Sequence, residues 1–414
     1  MLRHTMPYPA PMSAPTKPSG MAEFVTLLAT MVSILALSID AMLPALDRIG
    51  ADLGVTDAND TQLIVSGMFL GFAAGQIAAG PLSDSFGRKP VIYGGYVIFI
   101  AGCIMSMTAT VFEVMLAGRV LQGLGAAAPR IVSLALVRDG YEGRAMARIM
   151  SIVMAIFILV PAIAPSVGEA VLLVADWRAI FGLLLAMAII ASVWFAARQP
   201  ETLAAADRRK FSFRNTAGGI REACGFRAAV GYTIASGIIF GAFLGYLSSA
   251  QQVFQSVYGT GKLFAIYFGV AALAIGAASI FNSSVVMRLG MRFLTWRALF
   301  GVTLISAFFL LVVWQFDGVP PLWSFMVWLL VAFFATGILF GNFNALAMEP
   351  LGHMAGLGAA FVGSVSTFIS LPLGWAIGHR FDNTVVPLIA GFAILGAISL
   401  FVMWWTERGA DLEP

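Results

Sequence analysis

Along this chain, long apolar runs alternate with short polar knots. Each run lasts about 20 residues, enough for a helix rising 1.5 Å per residue to cross a hydrocarbon core of ~30 Å. Twelve such runs are expected, near residues 22–46, 61–82, 91–109, 113–137, 146–174, 178–197, 228–250, 262–286, 294–316, 322–346, 357–377 and 386–406. None alternates apolar and polar residues with the period of two that a membrane β-strand of ~10 residues needs. The pattern predicts an all-α integral membrane protein with twelve transmembrane helices.

Composition agrees and narrows the class. Hydrophobic residues make up 60% of the chain and charged ones 11%, with a mean hydropathy of +0.91. Water-soluble domains carry roughly a quarter charged residues, so a soluble enzyme or nucleic-acid binder is excluded. Residues 1–20 contain Pro7, Pro9, Pro11, Pro15 and Pro18 but no apolar core. They read as a disordered tail without a cleavable signal, and Met12 or Met21 are alternative starts. Cys103 falls in a span and Cys224 in the central loop, with no disulfide or metal spacing. No cofactor, metal or nucleic acid is expected.

Charge placement orients the spans. If both termini and the even-numbered junctions share one side, that side holds 18 of the 24 Lys and Arg residues, and the opposite side holds 4, namely Arg48, Arg178, Lys262 and Arg380. Arg119 and Arg130 lie within a span. The positive-inside rule then puts both ends in the cytoplasm. The longest polar stretch divides the chain into a tail (1–20), a first bundle of six helices (21–200), a cytoplasmic linker loop (201–226) and a second bundle of six with a short tail (227–414). Gly87-Arg88-Lys89 after the second span is echoed by Gly290-Met291-Arg292 after the eighth, which points to an internal duplication.

The knot after the second span reads Gly80-Pro81-Leu82-Ser83-Asp84-Ser85-Phe86-Gly87-Arg88-Lys89-Pro90. It resembles the signature loop of the major facilitator superfamily, G-x-L-x-D-R-x-G-R-[RK]. Gly80, Leu82, Asp84, Gly87, Arg88 and Lys89 match, while Ser85 stands where the family usually has Arg. The resemblance implies two six-helix bundles with a substrate site between them. It also implies that Asp84 and Arg88 help to latch the halves together on the cytoplasmic side in the outward-facing state. Without the second Arg that latch is expected to be weaker.

Further matches extend the resemblance. Arg119-Val120-Leu121-Gln122-Gly123-Leu124-Gly125-Ala126 is similar to the fourth-helix motif R-x-x-Q-G-x-G-A of proton-linked major facilitators, whose Arg is implicated in proton coupling. Ala164-Pro165-Ser166-Val167-Gly168 is a thinned form of the antiporter motif G-P-x-x-G-G, with Glu169 in its last place. Ser38-Ile39-Asp40, Gly71-Phe72-Ala73-Ala74-Gly75-Gln76, Arg138-Asp139, Trp177-Arg178 and Pro200-Glu201-Thr202-Leu203 resemble the bicyclomycin-resistance (Bcr/CflA) branch of drug:H+ antiporters. So do Gly341-Asn342 and Met348-Glu349-Pro350-Leu351-Gly352 in the second half.

The residues themselves add candidates. An ionised Asp deep in a span costs roughly 2.5–3.5 kcal/mol on insertion scales, so Asp40 in the first span needs a partner or a cavity. Arg119 lies at similar depth, and the two either pair directly or share a cavity. Asp40 is the leading proton carrier, Glu169 the second, and a purely structural Asp40–Arg119 lock the competing assignment. On the seventh span Tyr232, Ser236, Phe240 and Phe243 form one helical stripe suited to apolar or cationic compounds, although packing between helices is the better explanation of such a stripe. Asn344 on the tenth span has the same standing. Gly71, Gly75, Gly123 and Gly125 read as sites of close helix approach.

The expectation is a proton-coupled antiporter, not an enzyme, that exports small hydrophobic or cationic drugs by alternating access. It would sit as a monomer in a bacterial inner membrane, with small molecules, protons and the lipid bilayer as partners. An exporter of amino-acid or peptide-like metabolites is the alternative. A membrane-embedded enzyme would need a catalytic constellation within the spans, and none is evident. A non-transporting receptor on the same scaffold would bind without flux.

Overall fold

The structure, a computed structural model, describes residues 20–208 and 212–408. The proline-rich tail therefore lies outside the described residues. The first half comprises α1 (Met21–Asp40), α2 (Leu46–Asp52), α3 (Leu63–Phe86), α4 (Arg88–Met107), α5 (Phe112–Gly140), α6 (Gly143–Leu172) and α7 (Arg178–Arg198). A helix α8 (Phe213–Gly225) follows within the stretch expected to be a loop. The second half comprises α9 (Arg227–Gln252), α10 (Phe264–Leu289), α11 (Met291–Trp314), α12 (Leu322–Met348), α13 (Ala355–Gly378) and α14 (Val386–Arg408). Eleven stretches are long and apolar enough to cross a membrane, and the longest, Leu322–Gly378, contains both α12 and α13. Among the described residues this makes twelve crossing helices, because α2 and α8 are short.

The two halves repeat a local design. A single residue separates α3 from α4, and a single residue separates α10 from α11. Those residues are Gly87 (φ 102°) and Gly290 (φ 82°), both in the left-handed region that a side chain disfavours. The echo seen in the sequence is thus the same helix corner built twice.

Helices approach closely where they lack side chains. A Cβ on Gly71 of α3 would fall on the Val120 carbonyl of α5, and one on Gly123 of α5 would fall on the Met68 carbonyl of α3. Dispersion contacts between close backbones drive such packing in lipid, where burying apolar surface gains little. In the second half α9 is the hub, set against α13 and α14.

Glu23 at the start of α1 accepts from Arg198 at the end of α7 at 2.5 and 2.7 Å, and Arg227 at the start of α9 donates to the Trp405 carbonyl near the end of α14. These contacts gather the helix ends nearest the termini at one end of the bundle, here the terminal end; the opposite one is the far end. The halves meet along two seams, α6 on α10 and α3 on α13. Exposed tryptophans sit in the second half at both ends, with Trp314 and Trp323 at the far end and Trp404 and Trp405 at the terminal end. Such rings favour the membrane–water boundary.

Candidate functional site

Asp40 closes α1, and the chain then bends through a short turn at Leu43–Ala45 that contains Pro44. The carboxylate is 4% exposed, and its Oδ1 has no hydrogen-bond partner. Gly168 of α6 lies against the Ala41 carbonyl, so close that a Cβ there would overlap it. The glycine of the thinned antiporter motif thus brings α6 onto the turn beside Asp40, on a helix that carries Pro161 and Pro165 in its interior.

Arg119 is fully buried, yet it does not pair with Asp40. Its Nη2 donates to the Ser38 carbonyl (2.7 Å), its Nε to the Ile64 carbonyl (3.1 Å) and its Nη1 to Gln122 Oε1 (2.5 Å). Gln122 in turn donates to Cys103 Sγ at 3.1 Å. The fourth-helix motif therefore ties α1, α3, α4 and α5 together, and the direct Asp40–Arg119 pair is not formed. Across the interface, Tyr246 of α9 lies near Asp40, and its own buried hydroxyl has no partner among the described residues. Its ring stacks on Phe268 at 5.7 Å and meets Phe333 edge-on at 4.7 Å.

Glu169 stands apart from this pair. It lies near the backbone of Ala265 at the start of α10, so it reaches towards a helix N-terminus of the second half.

The loop motif is engaged within its own half. Arg88 Nη1 meets Asp84 at 2.5 Å and Ser83 Oγ at 2.8 Å, while its Nε meets Asp139 at 2.9 Å. Glu201 accepts from the backbone N–H groups of Arg88 (2.9 Å) and Lys89 (3.0 Å), capping the start of α4, and Lys89 Nζ donates to the Gln199 carbonyl at 2.6 Å. Gly80 has open space around it, and Ser85 donates to the Pro81 carbonyl at 3.0 Å. Asp139 and Glu201, noticed in the sequence only through the resemblance, hold the Arg88 side chain and the backbone at the start of α4 respectively.

The stripe on the seventh span divides. Tyr232 is buried and donates to Glu407 (3.1 Å), which also accepts from Trp296 (2.6 Å), so it is bound into the second half. Ser236, Phe240 and Phe243 are half-buried. Phe240 and Phe243 stack at 5.7 Å, each meets Phe340 of α12, and Phe240 reaches across to Phe69 of α3 at 5.8 Å. Asn344 is exposed one turn further along α12. Arg130, the second basic residue expected within a span, lies 4.6 Å from the centre of the Phe157 ring on α6.

Sequence reasoning missed the far end altogether. There Gln62 Nε2 donates to Gln252 Oε1 (2.8 Å) and to the Gly378 carbonyl (2.9 Å). Asn59 Nδ2 donates to the carbonyls of His379 (3.2 Å) and Phe381 (3.1 Å), and Gln252 donates to Asn59 Oδ1 (3.0 Å). Gln251 donates to the Asp47 carboxylate. Each bond joins the first half to the second, so this end is sealed. Asp57, Asp60 and His379 also converge here, with ligand atoms within 4.8 Å of one another, although Asp57 already accepts from the Asn59 N–H at 2.8 Å. The adjacent Gln251-Gln252 pair closing an apolar run was the available signal. A cleft of about 650 Å³ between α1, α6 and α7, edged by Arg148, contains none of the candidate site residues.

Twelve crossing helices in two halves, with a buried acid near their meeting place and a buried cation within the first half, fit a multi-pass membrane transporter. The profile of the Major Facilitator Superfamily matches residues 26–374, and the chain belongs to that superfamily. An uncharacterised transporter of the superfamily from Bacillus subtilis (strain 168), YdgK, is 29% identical over 91% of this chain and 94% of its own length. A bicyclomycin resistance protein homolog from Haemophilus influenzae is 25% identical over 92% and 95%. The multidrug resistance protein MdtL of Citrobacter koseri is 34% identical over 41% of this chain and 43% of its own. Among solved structures, the Escherichia coli xylose transporter XylE in a partially occluded inward-open conformation superposes with a TM-score of 0.69 at 13% identity, over 93% of this chain and 97% of that one. At such identity the likeness speaks to the fold alone.

Proposed function

We propose that this protein exports small, mostly apolar drugs in exchange for protons. The observation that carries this reading is the Asp40 carboxylate, buried where the halves meet with one oxygen free, while its neighbouring cation is engaged by carbonyl groups and Gln122. A carboxyl so placed gains and loses a proton without dismantling the Arg119 network. Relatives named for bicyclomycin and multidrug resistance support drugs as cargo.

In this reading the terminal end is cytoplasmic and the chain works as a monomer in a bacterial inner membrane. The far-end hydrogen bonds close the outer side, and Asp84, turned to Arg88 of its own half, is released from the latch. Alternating access breaks the far-end bonds and engages the latch. A proton entering from outside reaches Asp40 when the far end opens and leaves towards the cytoplasm in the state seen here.

The test is proton flux into liposomes that hold a pH-sensitive dye, triggered by a drug panel, for wild type and Asp40→Asn. Drug-triggered flux that is lost in the variant supports the proposal. Flux that is unchanged in the variant removes Asp40 as carrier and turns attention to Glu169.

A further inference from the structure

Three arginines lie along the inner parts of the first half, and two are fully engaged. Arg88 holds Asp84 and Asp139, and Arg119 holds two carbonyls and Gln122. Arg130 is half-buried, and among the described residues its neighbour is the Phe157 ring. A cation in a span costs roughly 2.5–3.5 kcal/mol, whereas a ring beneath it returns about 0.5–2. The guanidinium keeps a planar fork of N–H donors that meets no acceptor among the described residues.

Its position gives that fork a purpose. Arg130 is eleven residues after Arg119, three turns and about 20° further round α5, so both project from one face. Ser133 on the same face approaches Met31 of α1, with Oγ 4.0 Å from Sδ. On α6, Phe157 likewise shares a face with Gly168, eleven residues on, which presses against the turn after Asp40. The opposite side of α6, with Ile152 and Ile156, lines the lateral cleft against Met187 of α7. The Arg130–Phe157 pair therefore sits on the inner side of the first half, between Asp40 and the terminal end. It lies about 15 Å inside the end of α5, the depth at which the second half presents Ser236, Phe240 and Phe340.

We infer that Arg130 is a substrate-binding residue that takes a carboxylate, so that the cargo is an amphiphilic acid: an aromatic or branched apolar body carrying one anionic head. The planar fork matches a carboxylate with two parallel N–H···O bonds. Phe157 braces the guanidinium from one side, and the Phe240–Phe340 cluster offers rings to the apolar body. This inference rests on the exporter reading and narrows it. Permanently cationic drugs, which Asp40 alone would suit, are set aside. It also has an electrical consequence, because an anion leaving and a proton entering move charge in the same sense. Export is then driven by an inside-negative potential at about 2.3 kcal/mol per charge per 100 mV.

The experiment measures binding to the purified full chain in detergent at pH 7.5, using 2-naphthoic acid and its methyl ester as probes. Wild type is expected to bind the acid at least tenfold more tightly than the ester. Arg130→Ala should bring the acid to the ester's level without changing the ester, and Arg130→Lys should keep part of the preference. Equal binding of the two probes by wild type, no binding of the acid, or an equal loss of both in Arg130→Ala overturns the inference. The last outcome would assign Arg130 to propping α6 through Phe157. The wild-type comparison stands even if Arg130→Ala fails to fold. Because proton flux is not read here, a chain that binds the acid yet moves no protons keeps the anion site and loses the exporter reading.

Discussion

Arg119 donates to the carbonyl oxygen of Ser38 at 2.7 Å, two residues before Asp40, and leaves the Asp40 carboxylate to itself. The carbonyl is the same whatever side chain follows it. Asp40→Asn should therefore insert and fold normally, with the Arg119 contacts intact. Substrate-driven proton flux should fall at least tenfold, and the residual transport should vary less than twofold between pH 6 and pH 8. A variant whose transport keeps the wild-type pH profile would remove Asp40 from the proton path.

Arg119→Lys should be poorly tolerated although it keeps the charge. One ammonium cannot reach Ser38, Ile64 and Gln122 together as the planar fork does. Each lost bond to a charged donor costs about 1.5–3 kcal/mol in a buried site. The check is the unfolding temperature in detergent, expected to drop by several degrees. An unchanged temperature would mean that the fork is not what ties α1 to α3 and α5.

Gln62→Leu should loosen the far end. It removes the bonds to Gln252 and Gly378, each worth about 0.5–1.5 kcal/mol, and so shifts the closed-to-open balance by roughly fivefold or more. A cysteine in place of buried Ser248, one turn before Gln252 on α9, in a Cys224→Ser background, should then react faster with an impermeant label added from the far side. An unaltered labelling rate would show that these bonds do not hold the end shut.

Gly71→Val and Gly123→Val should each separate α3 from α5, since the added atoms would fall on the backbone carbonyls of Val120 and Met68. Backbone cannot move aside as a flexible side chain would, so little folded protein should reach the membrane fraction. Normal amounts of active protein would mean that the two helices are less tightly apposed.

How far these features were legible depended on the range of the interaction. The twelve spans were visible because each is a continuous apolar run, and their ends shifted by only a few residues. The third begins at Arg88 because Gly87 alone makes the corner. The helix Phe213–Gly225 reads as loop in the sequence because its charges and glycines outweigh its period. Asp40 and Arg119 stood out as charges inside spans. Their surroundings did not, because the acceptors on Ser38 and Ile64 belong to the backbone and leave no mark on residue type. Tyr232 shares a helical stripe with Phe240, yet it bonds to Glu407 some 175 positions away, a pairing that no local spacing reports. The far-end seal was invisible for the same reason, since Gln62 and Gln252 are 190 positions apart.

The exposed tryptophans bear on which part of the molecule moves. Trp314, Trp323, Trp375, Trp404 and Trp405 all belong to the second half, whereas Trp177 of the first half is buried and Trp194 only partly open. Rings moored at both surfaces of a bilayer resist tilting, because tilt would drag some into the oil and others into water. The second half would then serve as the stator and the first as the rotor. The acid, the cations and the loop knot would all ride on the half with the looser grip on the lipid.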